Sequence, residues 1–352
     1  MYTRIMEKNI YIVTGATGFV GGVLVKKMLY NNETVFAFAR NKEKATLVLG
    51  TEFENPNLHL FYGDTRNLES LEKCFEMASS FIDNSKLICI HTAAIVELNG
   101  KKKQKQIMQD ININGTKNCI DLCLKYNSRM VFVSSVHAIP ELKKNAVMRE
   151  VSEFCPKLVR GAYSKTKAIT SGLVLDAVKE NDLDAVLVHP SGISGPGDFG
   201  GSMLTQMVKD YMAKRIPAAT KGGFNFVDIR DVVDGIIKAA VSPSAKSGEC
   251  YLLTNRFYSV KSVLDMLYEI TSVRKIKRTL PLWVAKIGLP FLTLGAKIKK
   301  RKPLYTSYAL YAVGSNSNYS NEKAISELGY SARGLKETLK DTVEFLKENE
   351  ML

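Results

Sequence analysis

Tyr163 and Lys167 stand four residues apart in Tyr163-Ser164-Lys165-Thr166-Lys167, a spacing that sets both side chains on one face of a helix. A free tyrosine, with a pKa of about 10, is a poor acid–base group at neutral pH. An ammonium beside it stabilises the phenolate and brings that pKa down. YxxxK is common by chance, on plain surfaces as well as in sites, so its place in the chain carries the weight. It follows an apolar run, Met130 to Ser134, whose end carries Ser134-Ser135. A hydroxyl at that position can hydrogen-bond a substrate oxygen alongside the tyrosine. Serine, tyrosine and lysine together are the parts needed to move a proton on or off a carbonyl or alcohol oxygen.

A second group of residues suits phosphate. Thr14-Gly15-Ala16-Thr17-Gly18-Phe19-Val20-Gly21 places glycines at GxxGxxG spacing between an apolar run, Ile10 to Val13, and a helical stretch, Leu24 to Tyr30. Glycines permit a tight turn and close backbone approach, and a helix N-terminus offers N–H groups and positive dipole to a pyrophosphate. The plainer reading is a tight turn between strand and helix. Its position after the first of several strands favours a dinucleotide site, with Gly15, Thr17, Gly18, Phe19 and Val20 against the cofactor. The end of the second apolar run, Thr34 to Ala39, chooses between cofactors. An acid there binds the ribose 2′-OH of NAD, whereas an arginine can hold a 2′-phosphate. Ala39-Arg40-Asn41-Lys42-Glu43-Lys44 has no acid at its first two positions. Arg40 therefore favours NADP(H), with NAD(H) as the second choice, against the reading of a solvated charge run at a helix start.

The elements that must position these residues follow in order. Further apolar runs lie at His59 to Tyr62, Leu87 to His91 and Ala185 to His189, with amphipathic helical stretches between, such as Asn67 to Ala78 and Asn114 to Tyr126. Strands alternating with helices predict an α/β fold, a doubly wound parallel sheet with helices on both faces. After Pro190 the pattern changes. Helices are expected at Met203 to Lys214, Asp231 to Val241, Val260 to Thr271, Pro281 to Ile298, Asn321 to Leu328 and Leu335 to Glu348, with a brief strand at Phe224 to Val227. The division is a cofactor domain over 1–190, to which 228–248 returns, and a smaller, mostly helical substrate region over 191–227 and 249–352.

Composition sets the limits. The chain has 352 residues, 45% hydrophobic and 24% charged, which excludes a disordered, collagen-like or polytopic membrane protein. The net charge is +14, and twelve Lys/Arg against only Asp265 and Glu269 fall between Arg256 and Tyr305. A nucleic-acid surface usually spreads basic residues with aromatics over a face. Here the charge flanks an apolar segment, so no nucleic-acid partner is expected. That segment, Leu280 to Ile298, is shorter than the ~20 apolar residues of a spanning helix and contains Lys286 and Pro290. It reads as a lid over the substrate pocket or as a peripheral membrane contact through 274–302. The six cysteines form no CxxC pair and read as reduced, mostly buried thiols. The four histidines share no metal-ligand spacing, so no metal is expected. The polar stretch Met1 to Asn9 has no leader character, which predicts a cytoplasmic protein, peripheral at the membrane if the second reading of 274–302 holds.

Taken together, TGATGFVG (14–21), Gly63-Asp64, HTAA (91–94), NINGT (112–116), FVSS (132–135), YSKTK (163–167), HPSGISGPGD (189–198), NFVDIRDVVDG (225–235) and LGY (328–330) resemble the extended short-chain dehydrogenase/reductases of the NAD-dependent epimerase/dehydratase superfamily. The resemblance covers nearly the whole chain and implies a Rossmann-type sheet. It makes Tyr163 and Lys167 the catalytic acid and its helper, and Ser135, rather than Ser134, the third member. It sets Asp64 and Thr65 near adenine, Ala93 and Ala94 along the cofactor, and Pro190 to Ile193 at the nicotinamide, with Asn112 as a supporting residue. Sugar-nucleotide epimerases usually carry an Asn just after the sixth strand. Pro190-Ser191-Gly192-Ile193 is closer to the 3β-hydroxysteroid dehydrogenase and dihydroflavonol reductase branch. The dehydratases place acids beside the catalytic hydroxyl, whereas Val136-His137 stand here. His189 replaces the usual Arg, and His137 reads as a loop histidine before a substrate-facing one. The branch implies an NADP(H)-dependent ketone–alcohol oxidoreductase acting on an apolar, ring-bearing small molecule; relatives often dimerise, so a homodimer is one assembly the resemblance allows, and the sequence leaves the oligomeric state open. The alternatives are a sugar-nucleotide epimerase and a silent cofactor-binding regulator. The complete Ser, Tyr and Lys set argues against the last.

Overall fold

The computed structural model describes residues 9–83, 85–96, 102–287 and 307–352. Seven strands form one sheet: β1 (Ile10–Thr14), β2 (Thr34–Ala39), β3 (Leu58–Tyr62), β4 (Leu87–His91), β5 (Arg129–Val133), β6 (Ala185–Pro190) and β7 (Cys250–Leu253). Every pairing is parallel, and the order across the sheet is β3-β2-β1-β4-β5-β6-β7. This is the Rossmann-type sheet expected. Strand order reverses between β1 and β4, and a crevice opens at such a switch point beyond the strands' carboxyl ends.

Both faces of the sheet are apolar, which is why the strands read as continuous hydrophobic runs. Tyr11, Val13, Ile88, Ile90, Val131 and Val133 pack on one side with residues of α1 (Phe19–Tyr30) and α7 (Ile229–Val241). Ile10, Ile12, Cys89, Met130 and Phe132 pack on the other with α3 (Leu68–Ser79), α4 (Lys102–Lys125) and α5 (Ala162–Asn181). Between α1 and α3 lies α2 (Lys42–Leu49), started by Asn41, whose side chain accepts the Lys44 N–H at 2.7 Å.

The seventh strand corrects the boundary read from sequence. The returning stretch does not stop at residue 248 but runs on through Leu253, because Cys250 to Leu253 pairs with Leu187 to Pro190. Four residues with no alternation give no periodic signal, since this strand too is buried on both faces. Beyond the sheet, Gly192–Ser194, Gly223–Asp228 and Phe257–Ser259 make a small second sheet. It packs with α6 (Met203–Met212), α8 (Val260–Thr271) and the last helix in a separate core containing Leu204, Phe226, Leu264 and Leu339. Two further helices, α9 (Ser307–Gly314) and α10 (Glu322–Leu328), precede the last one, α11 (Leu335–Glu348). Asp228 caps α7 and pairs with Arg230, which also reaches Asp341, while Arg333 pairs with Asp231. These ion pairs lock α11 onto α7 and so onto the sheet. Of the apolar segment at 280–298, residues 282–287 are helical, and 288–298 lie outside the described residues. No helix among the described residues is long and apolar enough to cross a membrane.

Candidate active site

The glycine loop joins β1 to α1 at the switch point. Gly15 has φ +71°, and a Cβ on it would come within 2.7 Å of the Ala93 backbone. A Cβ on Gly21 would lie 2.2 Å from the Gly15 carbonyl oxygen. Only glycine therefore lets the loop turn this tightly against the segment following β4. Gly18 begins α1 with no side chain capping it. The first amides of the helix are thus left facing a crevice lined by Gly15, Thr17, Gly18, Gly63, Thr65, Ala93 and Ala94. Phe19 and Val20 turn inward and pack on the core under α1.

At the far end of this crevice stand Arg40 and Lys44, both exposed. Arg40 is the residue expected from sequence. Lys44 was not foreseen; it joins Arg40 because the first turn of α2 points it back across the end of β2. Two cations above an amide-lined trough fit a dinucleotide bearing an additional phosphate. Asp64 is differently engaged. Its carboxylate accepts the Arg66 N–H at 2.9 Å and both ends of the Arg66 guanidinium at 3.0 Å, and these bonds hold it below the usual carboxylate range. Its neighbours Gly63 and Thr65 face the crevice. Asn112, on α4, takes the Ile95 N–H at 2.8 Å and gives a hydrogen to the Ile95 carbonyl at 3.1 Å. It is a positioning residue that pins the stretch carrying Ala93 and Ala94.

The acid–base group assembles at the end of β5. Lys167 is 4% exposed and donates to the Val133 carbonyl at 2.8 Å, with its Nζ 5.1 Å from the centre of the Phe132 ring. Burial drives its pKa down to about 7. Ser134 bonds Ser171 at 2.7 Å inside the strand–helix interface, so it is spent on packing. Ser135 accepts the His137 N–H at 3.2 Å, starting the short turn Val136–Ala138. That bond uses the oxygen and leaves the hydroxyl proton to be donated. The His137 ring meets the Tyr163 ring edge-on at 6.4 Å. Ser135, Tyr163 and Lys167 are thus drawn together around one strand end.

Behind them the core holds two neutral histidines. His91 bonds Thr14 at 2.7 Å and Thr116 at 3.2 Å, and burial, with Lys167 nearby, lowers its pKa to about 3. His189 stacks on Phe154 at 5.3 Å, and neither ring nitrogen has a partner among the described residues. Pro190 ends β6, and Ile193 packs on the core below the loop that follows. Ser191, just beyond β6, donates to Asn225 at 2.8 Å.

A pocket opens beside Tyr163, walled by Val136, Ile139, Met148, Leu158, Val159 and Ala312 and edged by His137, Glu141, Arg160, Tyr311 and Asn316. His137 therefore faces the pocket after all. Glu141 accepts from the Tyr311 hydroxyl at 2.5 Å and from the Asn316 N–H at 2.7 Å, and the Arg160 guanidinium lies 4.3 Å over the Tyr311 ring. None of these four was singled out by type, because Glu141 and Arg160 come from the stretch between β5 and α5, and Tyr311 and Asn316 from α9 and the turn after it, more than a hundred residues further on. No cluster of three or more His, Cys, Asp or Glu that could hold a metal occurs among the described residues.

The sequence model of the NAD dependent epimerase/dehydratase family matches residues 11–253. Among curated proteins, the sterol demethylase protein B of Methylococcus capsulatus is 26% identical over 97% of this chain and 99% of its own. A putative dihydroflavonol 4-reductase of Synechocystis sp. is 27% identical over 96% of this chain and 95% of its own. Among solved structures, that of gox2253 superposes with a TM-score of 0.79 at 24% identity, covering 98% of this chain and all of that one.

Proposed function

The chain belongs to the NAD dependent epimerase/dehydratase family, an extended short-chain dehydrogenase/reductase by its motifs, and from that premise we propose that it interconverts a ketone and a secondary alcohol on an apolar, ring-bearing substrate of steroid or flavonoid type, with NADP(H) preferred. The observation that carries this reading is the grouping of Ser135, Tyr163 and Lys167 at one strand end, beside a pocket that has apolar side chains on one wall and polar groups along its edge, in a chain whose glycine loop borders a separate crevice.

Gly15, Thr17, Gly18, Ala93 and Ala94 would hold a dinucleotide, whose nicotinamide would supply or accept hydride. The chain's own residues handle the proton and the charge. In the reductive direction Tyr163 gives its phenolic proton to the substrate oxygen. Ser135 donates a hydrogen bond to that same oxygen, its own oxygen being held by the His137 N–H. Lys167, one turn along α5, in its protonated form contributes the positive charge that makes the phenol a stronger acid. These groups are fixed before substrate arrives: Lys167 by the Val133 carbonyl, Ser135 by its turn. Arg40 and Lys44 take the 2′-phosphate. The ring-bearing substrate is supported by the apolar side chains on one wall of the pocket, among them Val136, Ile139, Met148 and Leu158, and by the sterol and dihydroflavonol named for the relatives.

The test is turnover by purified protein on a panel of steroid and flavonoid ketones and alcohols with NADPH and NADH, followed by dinucleotide absorbance, with UDP-sugars alongside. Reduction of a ring ketone, faster with NADPH, is the expected result. Silence across that panel together with epimerisation of a UDP-sugar would overturn it.

A further inference from the structure

The described part of the apolar segment, residues 282–287, presents Trp283 and Ile287 one helical turn apart, 65% and 66% exposed. Lys286 is exposed beside them, while Ala285 is buried and Leu282 half-buried on the opposite side. A lid helix that served only to cover a pocket would point polar residues outward. This one points out its largest apolar side chains.

Charge surrounds the same spot. Arg274, Lys275, Lys277 and Arg278 are all exposed on the stretch leading into the helix. The acids of neighbouring α8 are already engaged, Asp265 by Lys261 and Glu269 by Lys336. Lys275 leans over the Tyr268 ring at 5.7 Å, and the Arg274 guanidinium reaches only a carbonyl, that of Lys214 at 3.5 Å. Four cations with no acid partner among the described residues, next to an outward tryptophan and isoleucine, match the two things a membrane interface offers: anionic headgroups and the boundary of the acyl region. A polyanion alone would leave Trp283 and Ile287 unexplained.

We infer that residues 274–287 form a docking surface for an anionic lipid bilayer, with Trp283 and Ile287 entering the interface and Arg274, Lys275, Lys277, Arg278 and Lys286 lying on the headgroups. The inference stands apart from the proposed activity. The two meet in one feature: Leu282 lines a cleft of about 590 Å³ that reaches Ser315 and Asn316, which also border the pocket beside Tyr163.

Trp283 is the chain's single tryptophan, so its fluorescence reports this surface alone. The experiment mixes the full chain with vesicles of phosphatidylcholine or of phosphatidylcholine with about a third phosphatidylglycerol, at low and high salt. Co-sedimentation with the anionic vesicles at low salt, release at high salt and a blue shift of the emission are expected. At about 1 kcal/mol per basic residue near such a surface, replacing Lys275, Lys277 and Arg278 by Ser should weaken binding roughly a hundredfold. Ile287→Ser should weaken it by roughly tenfold or more. All these positions are exposed, so the thermal midpoint of each variant should match the wild type and show that the fold is kept. A wild-type protein that stays in solution with anionic vesicles overturns the inference. So does binding with no change in emission, or binding of an oligonucleotide with the affinity shown for the vesicles.

Discussion

The crevice at the glycine loop and the pocket beyond the end of β5 are made in opposite ways. The crevice is backbone: Gly15, Gly18, Gly63 and the Ala93–Ala94 stretch line it, held in place by strand ends and by Asn112 bonding both backbone groups of Ile95. The pocket is side chain: Met148, Leu158, Arg160 and Tyr311 come from loops and a helix outside the sheet, joined by the Glu141 contacts and an ion pair between Arg149 and Glu322. A surface of backbone tolerates little change, because adding one carbon to Gly15 or Gly21 collides with main chain. A surface of side chains can be recut one residue at a time. The contrast predicts that substitutions around the crevice and strand end act on every substrate alike, and those in the pocket on particular ones.

The largest effect should come at the strand end that carries the acid–base group. Tyr163→Phe removes the proton donor and keeps the ring, so turnover should fall by roughly 10²- to 10⁴-fold while dinucleotide affinity stays within about twofold. Single-turnover kinetics at saturating cofactor and isothermal titration check the two halves. Near-normal turnover would put the acid elsewhere.

Next is the cationic end of the crevice. A charge-assisted bond to phosphate contributes about 1.5–3 kcal/mol, so Arg40→Asp should weaken NADPH binding by roughly ten- to a hundredfold, and Lys44→Ala should act in the same direction. NADH affinity should be unchanged or improved. Equal affinity of the wild type for both cofactors, by titration, would remove the NADP assignment and with it the role given to Lys44.

Lys167 offers a smaller effect that depends on pH. Its pKa is about 7 in the folded protein and near 10.5 when unfolded. Between those values the unfolded chain holds a proton that the folded one has released, so stability rises with pH across this window. Below pH 7 both states carry it, and the penalty for a buried charge is constant. The slope approaches about 1.4 kcal/mol per pH unit above pH 7. Denaturant unfolding of the cofactor-free protein should show midpoints climbing from pH 7 to 9, and Lys167→Met should flatten that climb. Equal slopes in the two proteins would mean that Lys167 is charged in the fold throughout.

The same contrast explains what could be read in advance. Gly15, Gly18, Tyr163 and Lys167 are legible because a turn, or a helical repeat, forces their spacing. The preference for Ser135 over Ser134 came by resemblance, and its reason is visible only in three dimensions, where Ser134 is tied to Ser171. Lys44 escaped notice because its approach to Arg40 depends on how α2 is rotated about its axis. Glu141, Arg160, Tyr311 and Asn316 carry no local signal, since the stretches that bring them together, α9 among them, are joined by tertiary contacts such as the pairing of Met148 with Tyr319. The seventh strand was hidden by its brevity. What the backbone dictates locally could be read, and what distant loops build together could not.

The smallest predicted effect tests the pocket side alone. Leu158 is 67% exposed although it lies on the pocket wall with Met148 and Val159. A large apolar side chain left open beside an acid–base group loses contact with water only when a substrate covers it. Burying a leucine contributes about 1.5–3 kcal/mol in full, and partial cover about half of that, so Leu158→Ser should raise KM for an apolar ring substrate by roughly three- to tenfold. Turnover at saturation should not change, because Leu158 touches none of the groups that move the proton. Cofactor affinity should not change either. A fall in kcat with KM preserved would show the wall acting on the chemistry, and the division between a strict crevice and an adjustable pocket would fail. An unchanged KM across the ring-bearing panel would instead mean that the substrate leaves this wall bare, which a compact polar molecule would do and a steroid or flavonoid would not.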